Sequence, residues 1–103
     1  MKFFGWFKGL PYGKCEENFD DYRKLKNTIP KEMVIEHIES DDVEVWATSL
    51  YTCDIFTGEQ LQAGMYEDGN FRFPLDFLYY YKNYDIGIPY DYEAYLKTIL
   101  PED

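Results

Sequence analysis

The spacing of apolar residues changes period along this chain, and each change marks a predicted change of element. Over 16–26, EENFDDYRKLK, the residues Phe19, Tyr22 and Leu25 fall three apart, one per helical turn. Glu16, Glu17, Asp20 and Asp21 come early in that stretch, and Arg23, Lys24 and Lys26 come late. That order complements a helix dipole. Asn27-Thr28-Ile29-Pro30 interrupts the pattern, and Pro30 suits the first turn of a second helix. This helix is predicted over 30–39, where Met33, Val34, His37 and Ile38 repeat at helical spacing with Ile35 beside them.

From Val43 to Phe56 the period falls to two, as in a strand. One face carries Val43, Val45, Ala47, Ser49, Tyr51, Cys53 and Ile55; the other carries Glu44, Trp46, Thr48, Leu50, Thr52, Asp54 and Phe56. The first face is the expected core face. Thr57-Gly58 reads as a hairpin turn, and a second strand over 60–66 places Leu61, Ala63 and Met65 together. Asp68-Gly69 is a short hairpin signal, since both central residues of a type I′ turn need φ > 0. A short strand, Asn70 to Phe73, comes next. Pro74 then opens a helix, PLDFLYYYKNY, with one stripe of Leu75, Leu78 and Tyr79 and another of Phe77, Tyr80, Tyr81 and Tyr84. A helix apolar nearly all round is packed on two sides or presents a side to a partner. After Asp85-Ile86-Gly87-Ile88-Pro89, a last helix over 90–99 sets Tyr92, Tyr95, Leu96 and Ile99 on one face, and Pro101 stops it.

Runs of like elements imply an α+β fold. The expectation is a three-stranded antiparallel β-meander with two helices before and two helices after, packed on one face. Residues 1–103 form a single domain, with no repeat, linker or low-complexity segment. The opening MKFFGWFKGLPYGK allows a short strand, Lys2-Phe3-Phe4, then an irregular loop. Its apolar run stops at Lys8, short of a signal peptide's core. With two cysteines, Cys15 and Cys53, the expectation is free thiols in a reducing compartment, the cytoplasm.

Composition narrows the function classes. The chain of 103 residues has a net charge of −10. Residues 1–31 hold seven Lys and Arg against four acids, a net +3, and residues 32–103 hold three against sixteen, a net −13. Direct binding to a nucleic-acid backbone needs cations, so it is not expected. Aromatic residues make up 20% of the chain.

The stretch from Asp54 to Leu100 contains D-x-x-T-G-E, then D-G and an aromatic strand, a Tyr-rich helix, an Ile-Pro loop and a final helix. This resembles a pattern in small bacterial proteins, some of them similar to immunity proteins that neutralise toxins. The resemblance covers under half the chain and carries over no functional residue. It implies an inhibitor.

Little here points to catalysis. His37 and Asp41 would stand one turn apart on a helix, but Glu36 and Glu39 point elsewhere, and no HExxH, CxxC or EF-hand spacing occurs. No metal or cofactor is expected. Cys53 with His37 lacks an orienting motif, and Cys53 falls on the expected core face, where a thiol is inert. Cys15 beside Lys14 lacks one too. Gly58, Gly64 and Gly69 sit at turn or strand positions and build no phosphate loop.

What remains is a surface of acids and aromatic residues. Tyr and Trp anchor protein interfaces, and Asp and Glu speed encounter with a basic partner. The expected partner-binding residues are Trp46 and Leu50 with Asp41, Asp42 and Glu44, and a second group of Tyr90, Asp91 and Glu93. The alternative for Trp46 is burial under the N-terminal segment. The expected function is non-enzymatic: an acidic module that inhibits or neutralises a basic protein partner such as a nuclease toxin. Three alternatives stay open. One is a small-molecule-binding or enzymatic domain with an aromatic pocket under Tyr79–Tyr81. The second is a DNA-mimic inhibitor, and the third a structural subunit that self-associates through strand edges.

Overall fold

In chain order the elements are β1 (Lys2–Phe3), α1 (Phe19–Arg23), α2 (Lys31–Ile38), β2 (Glu44–Cys53), β3 (Gln60–Asp68), β4 (Phe71–Pro74), α3 (Leu75–Asn83) and α4 (Tyr90–Ile99). They are seen in a computed structural model that describes residues 2–7 and 17–100. The expectations for Cys15, for the loop from Lys8 and for Pro101 lie outside the described residues.

Helices α2, α3 and α4 each begin directly after a proline, Pro30, Pro74 and Pro89, where a missing N–H costs nothing. Helix α1 is shorter than its apolar spacing predicts. Asn18 caps it, its Oδ1 accepting from the Asp20 N–H. Glu17 instead turns back to accept from the Trp6 N–H and the Tyr22 hydroxyl.

The fold is α+β, and its sheet corrects the expected three-stranded meander. Strand order is β1-β4-β3-β2. The pairs β2–β3 and β3–β4 are antiparallel as expected, but β1 adds to β4 in parallel, giving a four-stranded mixed sheet. The Lys2 N–H donates to Asn70 O and the Phe4 N–H to Arg72 O, so β4 has a neighbour on both sides. Phe4 continues into the core, stacked on Phe73 at 4.6 Å between ring centroids.

The β3–β4 turn sits one residue later than predicted. Asp68 still pairs with Phe71, so the two turn residues are Gly69 and Asn70. Only Gly69 has a positive φ, of 57°, which fits a II′-like turn rather than I′. A Cβ on Gly69 would lie 2.6 Å from the Tyr95 hydroxyl. Gly69→Val is expected to destabilise by about 1–2 kcal/mol, read as a lower midpoint in urea at unchanged slope; an unchanged midpoint would contradict this turn.

The core lies between one sheet face and the helices. Tyr66 stands opposite Phe73, and Asp68 opposite Phe71, so these four share a face. His37 of α2 meets Asp68, Phe77 of α3 packs on Phe73, and Tyr92 of α4 packs on Phe71 and Phe73. Phe19 and Tyr22 of α1 join through Phe7, Phe77 and Tyr80.

The expected core face of the long strand is not a core face. Val43 is buried, but Val45, Ala47, Ser49, Tyr51 and Cys53 are exposed, and Ile55 is half-buried. Among the described residues β2 is the sheet edge, and the helices cover its neighbours instead. The register also shifts between Ala47 and Tyr51, so that Thr48, Ser49 and Leu50 stand against Ala63 alone. Beyond this bulge Thr52, assigned outward by alternation, is the buried residue of β2, and its hydroxyl donates to the Asp76 carboxylate. Cys53 is an exposed thiol, so Cys53→Ser is expected to change stability by less than about 0.5 kcal/mol in a thermal melt. A larger loss would place the sulfur in a packed environment.

Candidate functional site

Four of the eight large apolar side chains exposed among the described residues lie on β2: Val45, Trp46, Leu50 and Tyr51. Trp46 is 57% exposed and Leu50 69%. Trp46 stands opposite Met65 and Glu44 opposite Glu67, whereas Val45 stands opposite Tyr66. Trp46 and Glu44 therefore look out from the sheet face turned away from the helices. The row that includes Glu44 continues across the sheet through Glu67, Arg72 and exposed Phe3, with Arg72 Nε 3.1 Å from Glu67. Close approach of β2 to β3 sets the backbone of Trp46: a Cβ on Gly64 would lie 2.5 Å from Trp46 O. Asp41 and Asp42 are exposed in the loop just before β2, where the Asp42 N–H donates to Ser40 Oγ. Asp41, Asp42, Glu44 and Trp46 thus lie together along the start of an edge strand. Leu50 lies within the bulge, its N–H donating to Thr48 Oγ1.

The second predicted group is elsewhere and is differently engaged. Asp91 pairs with Lys2 of β1 at 2.9 Å, at the opposite edge of the sheet from β2. Tyr90 is exposed, and its hydroxyl accepts from the Lys26 N–H. Glu93 is a correction: it is 7% exposed, and its Oε2 accepts from the Thr28 N–H at 2.7 Å. Burial raises the Glu93 pKa, but the N–H groups of Thr28 and Ile29 and the Asn27 amide outweigh it and hold the carboxyl below its ordinary value. Glu93 fastens the loop between α1 and α2.

Other acids also prove to be internal acceptors. Asp54 Oδ1 accepts from the N–H groups of Phe56 and Thr57, and Oδ2 from the hydroxyls of Tyr79 and Tyr84. Burial raises its pKa, and these donors more than reverse that. The D-x-x-T-G-E stretch is thus a turn closed by its own aspartate, a local pairing that turn-forming aspartates make. Asp68 accepts from His37, Tyr92 and Tyr95. Asp76 accepts from Thr52. Acidity in a chain of this charge gives no sign that Asp54, Asp68, Asp76 and Glu93 are interior. The one signal was position, with Asp54 and Asp68 both next to turns.

Tyr80 and Tyr81 of α3 pack into the core, whereas Tyr79 lines a cleft. Tyr80 is fully buried and Tyr81 stacks on Phe77 at 5.9 Å. Burial pushes both hydroxyls up to about 12. An open cleft of about 330 Å³ lies between α3 and β3, lined by Tyr66, Leu75, Asp76, Tyr79 and Lys82. Among the described residues no group of three His, Cys, Asp or Glu could hold a metal ion, and no helix is long and apolar enough to cross a membrane. Compared with known proteins, the chain matches no protein family, no curated protein and no solved structure.

Proposed function

We propose that this chain is a non-enzymatic, acidic protein-binding module of the immunity type, acting in the cytoplasm to inhibit or neutralise a basic protein partner. One observation carries the reading: Trp46 stands exposed on an edge strand, directly beside Glu44 and the Asp41–Asp42 loop. An aromatic anchor supplies binding energy, and nearby carboxylates supply encounter rate. Asp54, Asp68, Asp76 and Glu93 are buried and leave fewer surface carboxylates for a phosphate-like double row. That favours a protein partner over DNA mimicry.

The test is binding to, and inhibition of, a panel of basic nuclease toxins at low and physiological salt. Association is expected to slow as salt rises, because exposed charges are screened beyond ~8–10 Å. Neutralising Asp41, Asp42 and Glu44 together should slow association by about tenfold. Trp46→Ala should leave the fold intact, since the ring is more than half exposed, yet weaken binding by ~2 kcal/mol or more through faster dissociation. Binding that ignores salt and both sets of substitutions would remove the proposal.

A further inference from the structure

We infer that the partner is held by strand addition: an extended cationic segment pairs through its backbone with the free edge of β2 over Glu44–Ala47. This rests on the reading of the chain as a binder of basic proteins and specifies how that binder works. Among the described residues the sheet order leaves β2 with a neighbour on one side only, β3. An edge strand presents a row of unpaired N–H and C=O groups, and native edges are commonly blunted by lysine, proline, a bulge or a covering element; in β2 the bulge lies beyond Ala47. Residues 41–53, DDVEVWATSLYTC, contain no proline and no Lys or Arg, and nine of the ten residues of β2 are exposed.

The edge is not uniform along its length. Glu44, Val45, Trp46 and Ala47 keep a regular register with β3. The next residues do not: the Leu50 N–H is taken by Thr48 Oγ1, and Thr48 O by the Gln62 side-chain amide. The bulge therefore ends the regular template after Ala47. Charge selects the occupant. Three carboxylates, Asp41, Asp42 and Glu44, lie at the start of this template with no cation among them. A second copy of the chain pairing through its own β2 would bring the same acidic strand and no cation for it. A basic segment meets the need.

Strand geometry then sets the spacing. Glu44 and Trp46 point to the same side, and a paired strand sets its residues directly opposite theirs. The segment recognised carries Lys or Arg opposite Glu44 and a large apolar residue opposite Trp46, two positions apart. Backbone pairing supplies affinity and the alternate side chains supply specificity, as in other strand-addition complexes.

The probe is a synthetic peptide of about eight residues with the repeat Arg-Thr-Val-Thr, which sets cation and apolar residue two apart in either strand direction. It is measured by calorimetry at low salt, beside a control of the same composition in which Arg and Val are adjacent. Two further isomers carry backbone N-methyl groups, one on the Arg and Val residues and the other on the Thr residues, so that each blocks a different edge of the peptide. The expected result is that the repeat binds and the control does not. One N-methyl isomer should lose at least about tenfold while the other keeps its affinity, since two or three backbone hydrogen bonds are lost. Isomers that behave alike overturn strand addition. No binding of the repeat, with basic toxins still bound in a Trp46-dependent manner, overturns strand addition and leaves the basic-partner reading standing. Failure of both peptide and toxins overturns both. A dimer in sedimentation that dissociates on Glu44→Lys with Trp46→Ala assigns the edge to a second copy and also overturns the inference.

Discussion

Asp68→Ala is expected to destabilise the protein by about 3–5 kcal/mol, the cost of leaving the three buried groups that bond its carboxylate unsatisfied. The side chain is 2% exposed and joins three elements. His37 Nε2 lies 2.8 Å from Oδ2, the Tyr92 hydroxyl donates to Oδ2 at 2.7 Å, and the Tyr95 hydroxyl donates to Oδ1 at 3.2 Å. Without the carboxylate, α2 and α4 lose their shared attachment to the end of β3, and the three donors stay behind in the interior. Asp68→Asn keeps an acceptor and should cost less. Burial raises the Asp68 pKa, but the bonds from His37, Tyr92 and Tyr95 and the charge of His37 reverse this and hold it below its ordinary value.

That depression sets the sign for stability. The carboxylate's contribution is complete above the unfolded-state pKa of about 3.9 and is lost as pH falls from there through the lower folded-state value. Asp54 and Glu93 are depressed too and add to the same acid-side loss. Urea unfolding across the acid range should therefore show stability falling below about pH 4, with a shallower fall in Asp68→Asn. An equal slope in the two proteins would remove Asp68 from the account.

Phe73→Ala is expected to cost about 3–5 kcal/mol, as for other fully buried aromatic residues. Phe73 is completely buried. Its ring meets Phe4 at 4.6 Å, Tyr66 at 5.3 Å, Tyr92 at 5.5 Å and Phe77 at 5.8 Å. One truncation thus opens a hole where β3, β4, α3, α4 and the N-terminal segment converge. A domain with about 5–15 kcal/mol of stability would be left close to unfolding at body temperature. Phe73→Leu should recover much of the loss. A melt of Phe73→Ala within a few degrees of the parent would show that this ring does not hold the core.

What sequence alone revealed divides by the length of the pattern involved. Helix α4 repeats its apolar face over more than two turns, and its bounds match the prediction. β3 and β4 are legible from two turn signals and alternate residues. β1 is two residues long and has no period to read; its parallel place beside β4 depends on backbone groups near Asn70 and Arg72. Alternation in β2 separates two faces but does not say that the strand is an edge, and the register shift between Ala47 and Tyr51 leaves no mark in that alternation. The candidate site was half legible. Trp46, Glu44 and the Asp41–Asp42 loop are neighbours in sequence and remain neighbours in space. Glu93 was misread because its partner Thr28 is 65 positions away.

The parallel pairing of β1 with β4 also orders events on the ribosome. Lys2 pairs with Phe71, about 70 positions later. At about 5–20 residues per second, roughly 4–14 s of translation separate the emergence of Phe4 from that of the strand it packs beside. For that interval a segment bearing Phe3, Phe4, Trp6 and Phe7 has no sheet to join. The exposure of this segment to chaperones and to self-association therefore starts as it emerges and ends only when β4 and the helices after it have been made.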